Sequence, residues 1–290
     1  MSAKNSTQNK MPLIEARSLV SSFSRALSSF QSSQDSFRIL CTLPHTSNVP
    51  AQRRPSRPLR NLVILDSSFN PPTLAHASMA RSALRLEGEK RLMLLLSVNN
   101  ADKAPKPASF PIRLSMMEAM GRELLDEGVE IDVAVTTMPF FHDKAKAIAD
   151  SGFYASEDEH QPTQIFLAGF DTIIRIFNPK YYNDGIQTAL GPFFEKCKVR
   201  VTTRPDKTWG GVDEQRAWLT KQRVREVGGG ESWVERVEMV EGRECDGDVS
   251  SSRVREVVKS GEGSLDGLVG DEVRGWIERE ALYRDREENL

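Results

Sequence analysis

Residues 61–76, NLVILDSSFNPPTLAH, constrain the fold of this chain more than any other stretch. The apolar run at 62–65 is typical of a β-strand that is buried on both faces of a parallel sheet. Pro71 and Pro72 then exclude both a longer strand and an immediate helix. From Thr73 onward, apolar residues recur at helical spacing. The stretch therefore predicts a buried strand, a tight polar turn and the start of a helix.

The start of this helix has the features of an anion site. Thr73 and His76 are three positions apart, so their side chains share one face of the first turn. That turn also carries backbone N–H groups without helical partners and the positive end of the helix dipole. A single histidine is more often a core or surface residue. Here, however, one of only four histidines in the chain directly follows a buried strand, where ligands of open α/β sheets bind. The pattern predicts a phosphate site.

A second helix start of the same kind is predicted near the end of the chain. Ser250, Ser251 and Ser252 follow a predicted strand, and Arg255 comes one turn later. Hydroxyls, free N–H groups and a guanidinium at a helix start are suited to polyphosphate. Alone, this signal is weak, because serine is a common N-cap residue. Two such helix starts in one α/β fold can face the same triphosphate.

Short apolar segments alternate with helical segments along most of the chain, which predicts a Rossmann-like, doubly wound α/β fold with a parallel sheet. The first strand, helix and second strand form one right-handed βαβ crossover. After the strand at 62–65, the predicted strands are residues 91–97, 129–137, 164–168, 198–203 and 233–240.

Residues 1–58 are predicted to be an N-terminal extension, and residues 59–290 the main domain. The extension contains a polar tip, an amphipathic helix over 11–30, a short candidate strand at 36–43 and a proline-rich linker. We expect the helix to pack on the domain and the protein to be cytoplasmic or nuclear. A mitochondrial transit peptide is the alternative, because the helix is rich in serine and contains two arginines.

The composition excludes several classes of function. A formal net charge of −2 provides no basic field for nucleic acid or an acidic membrane. No apolar run approaches the roughly 20 residues that span a bilayer. The three cysteines lack a C-x-x-C pattern, so we expect neither a disulfide framework nor a zinc site, and no other metal-ligand spacing is present. Small molecules are the expected partners.

Three motifs together resemble the nicotinamide mononucleotide (NMN) adenylyltransferases of the nucleotidylyltransferase superfamily. Residues 67–76, SSFNPPTLAH, are similar to G-S-F-N-P-x-T-x-x-H, which includes the superfamily signature (H/T)-x-G-H. Gly169-Phe170-Asp171 is similar to the family's G-x-D motif, and residues 249–255 are similar to I-S-S-T-x-I-R. Ser67 and Ala75 replace two glycines of these motifs. The resemblance covers residues 61–283 and is closest to divergent fungal-like members with an N-terminal extension.

This resemblance implies adenylyl transfer from ATP to NMN, which gives NAD and pyrophosphate. By resemblance, His76 donates to the α-phosphate, Thr73 holds the outer phosphates and Arg255 neutralises the leaving pyrophosphate. Lys103 is expected near the NMN phosphate, and Asp171 is expected to hold the adenylate ribose. Mg²⁺ bound through the ATP phosphates is the implied cofactor.

The resemblance also indicates further contact residues. The remaining candidates for contacts to ATP or the acceptor are Ser67, Ser68, Phe69, Asn70, Arg113, Gly169, Arg204, Ser250, Ser251 and Ser252. Phe140 and Phe141 follow a predicted strand, and Tyr181 and Tyr182 lie where the family has another aromatic residue near nicotinamide. By resemblance, these four are the candidates for stacking on nicotinamide. The simpler interpretations also stay open. The Phe pair then packs in the core, the Tyr pair lies on the surface, Asp171 caps its helix and Lys103 is a solvated loop charge.

Three other functions fit the same sequence features. A related transferase would join another phosphate acceptor to a nucleotide. An ATP hydrolase would use water in place of the acceptor. A regulator would bind nucleotide without turnover, which the replacements at Ser67 and Ala75 keep open. The sequence leaves a homo-oligomer open.

Overall fold

The computed structural model describes residues 13–45, 50–98, 107–204, 209–243 and 248–284. The strands in these ranges are β1 (Phe37–Leu43), β2 (Asn61–Asp66), β3 (Lys90–Ser97), β4 (Ile131–Thr136), β5 (Thr163–Gly169), β6 (Cys197–Thr203) and β7 (Val237–Glu241). They form one sheet in the order β1-β4-β3-β2-β5-β6-β7. β1 is antiparallel to β4, and all other neighbouring strands are parallel.

The strand order places a crevice beside β2. From β2 the chain adds β3 and β4 on one side, then returns to add β5, β6 and β7 on the other. Connections that leave β2 and β5 therefore run to opposite sides, which opens a crevice at the carboxyl ends of these two strands. The predicted doubly wound α/β fold is confirmed.

Helices cover both faces of the sheet. They are α1 (Leu13–Gln31), α2 (Leu74–Leu84), α3 (Phe110–Glu123), α4 (Phe141–Asp150), α5 (Phe170–Ile176), α6 (Ile186–Lys196), α7 (Val212–Trp218), α8 (Lys221–Glu226), α9 (Ser251–Ser260) and α10 (Asp271–Arg279). Among the residues described, no helix is both long and apolar enough to cross a membrane.

The two hydrophobic cores follow from the alternation of side chains along the strands. In β2, Val63 and Leu65 belong to the core that α1, α2, α3, α9 and α10 cover. Leu62 and Ile64 point to the opposite face and belong to the core under α4, α5 and α6. All four are at most 1% exposed. This double burial explains why β2 is apolar at consecutive positions.

The last predicted strand begins later than expected. Residues 231–236 form a 3₁₀ turn, and only Val237–Glu241 pairs with β6. Trp233 is 5% exposed and stacks on Phe194 with 5.2 Å between ring centroids. The prediction of a strand over 233–240 was therefore wrong at its start, because the turn buries the indole in the core.

The predicted N-terminal helix is present and packs on α3 through Leu19, Phe23 and Phe30, all of which are buried. The segment after it contributes β1 to the sheet. Thr42 in β1 donates a hydrogen bond to the buried Asp132 in β4, at 2.6 Å. α1 and β1 thus contribute to the two cores of the domain.

Candidate active site

A cleft of about 420 Å³ lies at the carboxyl ends of β2, β5 and β6, in the crevice that the strand order creates. Nine of the predicted contact residues, distributed over most of the chain, line this cleft. They are Ser67, Thr73, His76, Phe141, Gly169, Asp171, Arg204, Ser250 and Ser251.

The first turn of α2 determines the orientation and protonation of His76. Thr73, the N-cap residue, donates its backbone N–H to His76 Nδ1 at 3.1 Å. His76 thus takes the place of the acidic or amide residue of a capping box. Because a backbone N–H can only donate, Nδ1 is the unprotonated nitrogen and the proton lies on Nε2. Nε2 lies 2.9 Å from Ser67 Oγ, at the wall of the cleft.

Burial lowers the pKa of His76 to about 4. The imidazole is therefore neutral at physiological pH and presents one fixed N–H donor to the cleft. Phe69 is fully buried under this turn, with its ring centroid 5.3 Å from that of His76. The aromatic ring removes water from one side of the imidazole, in agreement with desolvation as the cause of the shift.

Hydrogen bonds join the two predicted helix starts. Ser251 Oγ, in the first turn of α9, donates to the carbonyl of Pro71 at 2.7 Å. Arg255 donates to the carbonyl of Asn70 at 2.8 Å. Ser250 caps α9 by accepting the N–H of Arg253 at 3.1 Å. The turn that carries His76 and the serine turn near the end of the chain are thus in direct contact on one side of the cleft.

Asp171 lies in the first turn of α5 on the other side of the cleft. Gly169 is the N-cap residue of this helix, and Asp171 does not cap it. The carboxylate of Asp171 is half exposed and pairs with Arg175 at 3.2 Å. A Cβ at Gly169 would lie 3.0 Å from Asp171 Oδ1, so glycine leaves space beside the carboxylate. Asp171 is therefore available to a ligand in the cleft.

Arg204 follows β6, and a buried glutamine holds its backbone. Gln215 Oε1 accepts the N–H of Arg204 at 3.1 Å, and Gln215 Nε2 donates to the carbonyl of Arg204. Gln215 is completely buried. No sequence signal identified this residue, because a glutamine in a charged helical segment is unremarkable until its partner is known.

Arg243 is a second cation on the cleft wall that the sequence analysis missed. It follows Gly242, whose N–H donates to the carbonyl of Thr203 at 3.0 Å. A Cβ at Gly242 would lie only 2.7 Å from that carbonyl oxygen. The glycine therefore permits the close approach that brings Arg243 to the cleft that Arg204 also lines. The glycine–arginine pair after the last predicted strand was the available signal.

The predicted aromatic residues divide into two groups. Phe141 lines the cleft and stacks on Phe166 with 4.9 Å between ring centroids. Phe140 instead lies 6.4 Å from both Tyr181 and Tyr182, measured between ring centroids. Phe140 and Tyr181 are each 38% exposed. These three rings form a surface aromatic cluster next to the end of the cleft that Phe141 lines. His142, which the sequence analysis did not select, stacks on Phe140 at 5.6 Å.

Several predicted contact residues support the cleft from behind. Arg113 is buried and donates to the carbonyl of Ala108 at 2.9 Å. Asn70 Oδ1 accepts from the hydroxyl of Tyr283 at 3.0 Å. Besides the surface aromatic cluster, six predicted contact residues are described by the structure but do not line the cleft: Ser68, Phe69, Asn70, Arg113, Ser252 and Arg255. Lys103 lies outside the described residues.

One further pair at the cleft was missed. Asp66, the last residue of β2, lines the cleft, and Lys144 of α4 donates to its Oδ2. Burial raises the pKa of Asp66, while the neighbouring ammonium of Lys144 lowers it.

Comparison with known proteins identifies the family. Residues 64–257 match the family model described as Cytidylyltransferase-like. A Schizosaccharomyces pombe protein, provisionally named as a nicotinamide mononucleotide adenylyltransferase, is 35% identical over 205 residues, which cover 69% of this chain and 77% of that protein. The chain belongs to the cytidylyltransferase-like family. The resemblance stated from the motifs is confirmed, and this family member is a nucleotidyltransferase enzyme.

Solved structures agree on the fold of this cytidylyltransferase-like protein. Two structures of the Plasmodium falciparum nicotinic acid mononucleotide adenylyltransferase, complexed with APC and with NaAD, superpose with a TM-score of 0.54. They are 14% and 15% identical to this chain, and the match covers 77% of it and 97% of each of those chains. At this identity the match shows the fold alone.

Proposed function

We propose that this protein transfers the adenylyl group of ATP to nicotinamide mononucleotide, producing NAD and pyrophosphate. The observation that carries the proposal is the direct contact between the two helix starts. Ser251 bonds to Pro71 while Ser250, Ser251 and His76 line one cleft. The names of the S. pombe relative and of the P. falciparum structures support an acceptor of the pyridine mononucleotide class.

In the proposed reaction the 5′-phosphate of NMN attacks the α-phosphorus of ATP. The new bond joins the NMN phosphate oxygen to the α-phosphorus, and the bond from that phosphorus to the bridging oxygen of pyrophosphate breaks. Negative charge therefore grows on the α-phosphate oxygens and on the leaving pyrophosphate. No protein nucleophile is required, and catalysis consists of positioning and electrostatic stabilisation.

The residues of the cleft match this distribution of charge. The Nε2–H of His76 donates to an α-phosphate oxygen, for which it exchanges its contact with Ser67. The hydroxyl of Ser250 and the N–H groups at the two helix starts hold the outer phosphates. The hydroxyls of Thr73 and Ser251 bond to His76 Nδ1 and to the carbonyl of Pro71, and so hold the two helix starts in place. Arg204 and Arg243 lie on the cleft wall and contribute positive charge.

Mg²⁺ is proposed as the cofactor, bound through the phosphates of ATP. In the described part of the chain, no three His, Cys, Asp or Glu side chains cluster as ligands for a metal ion. Mg²⁺ usually binds through substrate phosphates and few protein ligands. When bound, Mg²⁺ neutralises charge on the triphosphate.

The two nucleoside moieties are assigned to opposite ends of the cleft. Asp171 at the β5 end accepts hydrogen bonds from the ribose hydroxyls of the adenylate. The surface aromatic cluster, in which Phe140 directly precedes α4 and the two tyrosines come after α5, receives the nicotinamide ring. A pyridinium ring is cationic and electron-poor, so stacking on neutral aromatic faces is favourable.

The test is incubation of the purified protein with ATP, Mg²⁺ and NMN, followed by detection of NAD⁺ and pyrophosphate. We expect both products in equal amounts, with no reaction when CTP replaces ATP. A parallel reaction with nicotinic acid mononucleotide compares the two pyridine acceptors. Absence of NAD⁺ in the presence of bound ATP would refute the proposal.

The same experiment separates the rival functions. Pyrophosphate or phosphate release without any acceptor indicates a hydrolase. ATP binding by calorimetry without turnover on any acceptor indicates a regulator. Reaction with a different phosphate monoester, and not with NMN, indicates another transferase of the family.

A further inference from the structure

A buried ion pair lies at the floor of the cleft, outside the three motifs that carry the family resemblance. Asp66 ends β2 and directly precedes Ser67, while Lys144 lies in the first turn of α4. Lys144 Nζ donates to Asp66 Oδ2. The two side chains are 5% (Lys144) and 9% (Asp66) exposed. Asp66 lines the same cleft as His76.

The ammonium of Lys144 is held from a second side. It lies 5.6 Å from the centroid of the Phe141 ring, which also lines the cleft. The backbone N–H of Lys144 donates to the carbonyl of Phe140 at 3.0 Å, so the residue is part of a formed helical turn. Lys146, two positions later, is 75% exposed and pairs with Asp150 on the surface. Lys144 is therefore directed to the cleft floor by the fold.

The ion pair reduces electrostatic repulsion between the cleft and a phosphate ligand. A site for two nucleotides must accept several phosphate charges, yet Asp66 and Asp171 place two carboxylates on its wall. Asp171 is half exposed and is screened by water and Arg175. Asp66 is buried, where repulsion between a carboxylate and a phosphate is screened far less. An unpaired charge at Asp66 would therefore oppose binding of ATP.

We propose that Lys144 is a positioning residue of the nucleotide site, whose ammonium fixes the Asp66 carboxylate and cancels its charge, so that the cleft accepts polyphosphate. The inference rests on the proposed function only in taking ATP as the ligand. Lys144 does not contact the phosphates itself. It acts through Asp66, and in this way α4 contributes to phosphate binding.

The first experiment compares K144M with K146M as the matched control. The readout is the dissociation constant of α,β-methylene-ATP with Mg²⁺, measured by calorimetry at pH 7.5. We expect K144M to bind at least about tenfold more weakly than wild type, and K146M to bind like wild type. A folded K144M with unchanged affinity would overturn the inference.

The pH dependence distinguishes cancelled charge from a structural role. Without Lys144, burial alone acts on Asp66 and raises its pKa further. Affinity is measured as the pH is lowered from 8 to 6. Because Asp66 takes up its proton at a higher pH in K144M than in wild type, the repulsion is relieved first in K144M, which gains affinity relative to wild type. In the described part of the chain, the other charged groups facing the cleft, namely Asp171, Arg204 and Arg243, are the same in both proteins. His76, with a pKa of about 4, stays neutral in this range. If the ratio of the K144M affinity to the wild-type affinity did not change with pH, the inference would be contradicted.

Double substitution supplies a variant that should fold. Removing one partner of a buried ion pair destabilises a protein strongly, whereas removing both leaves no unpaired charge. We expect D66N/K144M to bind α,β-methylene-ATP within about threefold of wild type. A folded double variant that binds more than tenfold more weakly shows that cancelled charge is not the role of Lys144. This comparison decides the question even if K144M alone is unstable.

The proposed function and the proposed role of Lys144 can be refuted independently of each other. Wild-type protein that binds ATP but forms no NAD⁺ removes the proposed function and leaves the binding test of Lys144 intact. Wild-type protein that forms NAD⁺, together with a fully binding K144M, removes only the role of Lys144.

Discussion

Substitution of His76 tests the chemistry of the cleft most directly. In H76A the Nε2–H donor is lost, while the other groups of the cleft remain. Loss of one preorganised donor to a developing oxyanion costs about 2.7–4 kcal/mol, which corresponds to a decrease in kcat of roughly 10²–10³-fold. We therefore expect H76A to lose turnover to this extent and to remain folded.

His76 also caps α2, so the loss of activity must be separated from a loss of stability. Nδ1 accepts the N–H of Thr73 at 3.1 Å, and loss of a capping acceptor costs about 1 kcal/mol. In H76E the glutamate completes a capping box with Thr73 and restores that acceptor, but it has no proton to donate at pH 7. We expect H76E to recover stability relative to H76A and to remain at least as inactive.

The assay is NAD⁺ formation at saturating ATP and NMN, with urea unfolding of each variant. H160A is the matched control, because His160 is an exposed histidine far along the chain from the motif. The reasoning fails if H76A keeps kcat within threefold of wild type. It also fails if H76E recovers activity together with stability, because the histidine would then serve the helix alone.

Four further results are expected. His76 titrates near pH 4 in the folded protein and near 6.5 when unfolded, so the unfolded state binds the proton first and stability falls as pH drops from 6.5 toward 4. In urea unfolding this contribution is at most about 3 kcal/mol, is smaller for a partly exposed ring, and should be absent in H76A. D171N should raise the KM for ATP about tenfold, because charge-assisted hydrogen bonds to the ribose are lost. Its stability should stay within about 0.5 kcal/mol of wild type, because the ion pair of Asp171 is exposed. An unchanged KM would remove Asp171 from the nucleotide site. F140A should raise the KM for NMN about tenfold and leave the KM for ATP unchanged, since stacking on one aromatic residue contributes about 1–3 kcal/mol. Equal effects on both KM values would contradict the assignment of the surface aromatic cluster as the nicotinamide site. Q215A should destabilise the protein by about 1–3 kcal/mol, because it removes the two hydrogen bonds from the buried Gln215 to the backbone of Arg204, and should weaken ATP binding measured by calorimetry. Wild-type binding by Q215A would show that Arg204 needs no support.

Local patterns in the sequence were sufficient to predict the layers of the fold. The run at 62–65 is apolar at consecutive positions because both faces of β2 are covered, and this is visible without any partner strand. The helix starts at Thr73 and Ser250 were readable for a similar reason, since capping involves residues within one turn. Both signals depend only on residues within a few positions of one another in the sequence.

The partners of the cleft residues were decided by the tertiary structure alone. Asp66 and Lys144 are 78 positions apart, and each looks ordinary in its own segment. Gln215 holds Arg204 from a separate helix, and Trp233 leaves the predicted strand to fill the core beside Phe194. Which side chains meet depends on the order of the strands and on the paths of the connections between them. Local periodicity specifies which face of an element is buried, but the burial of a charge beside its partner depends on how the whole chain packs.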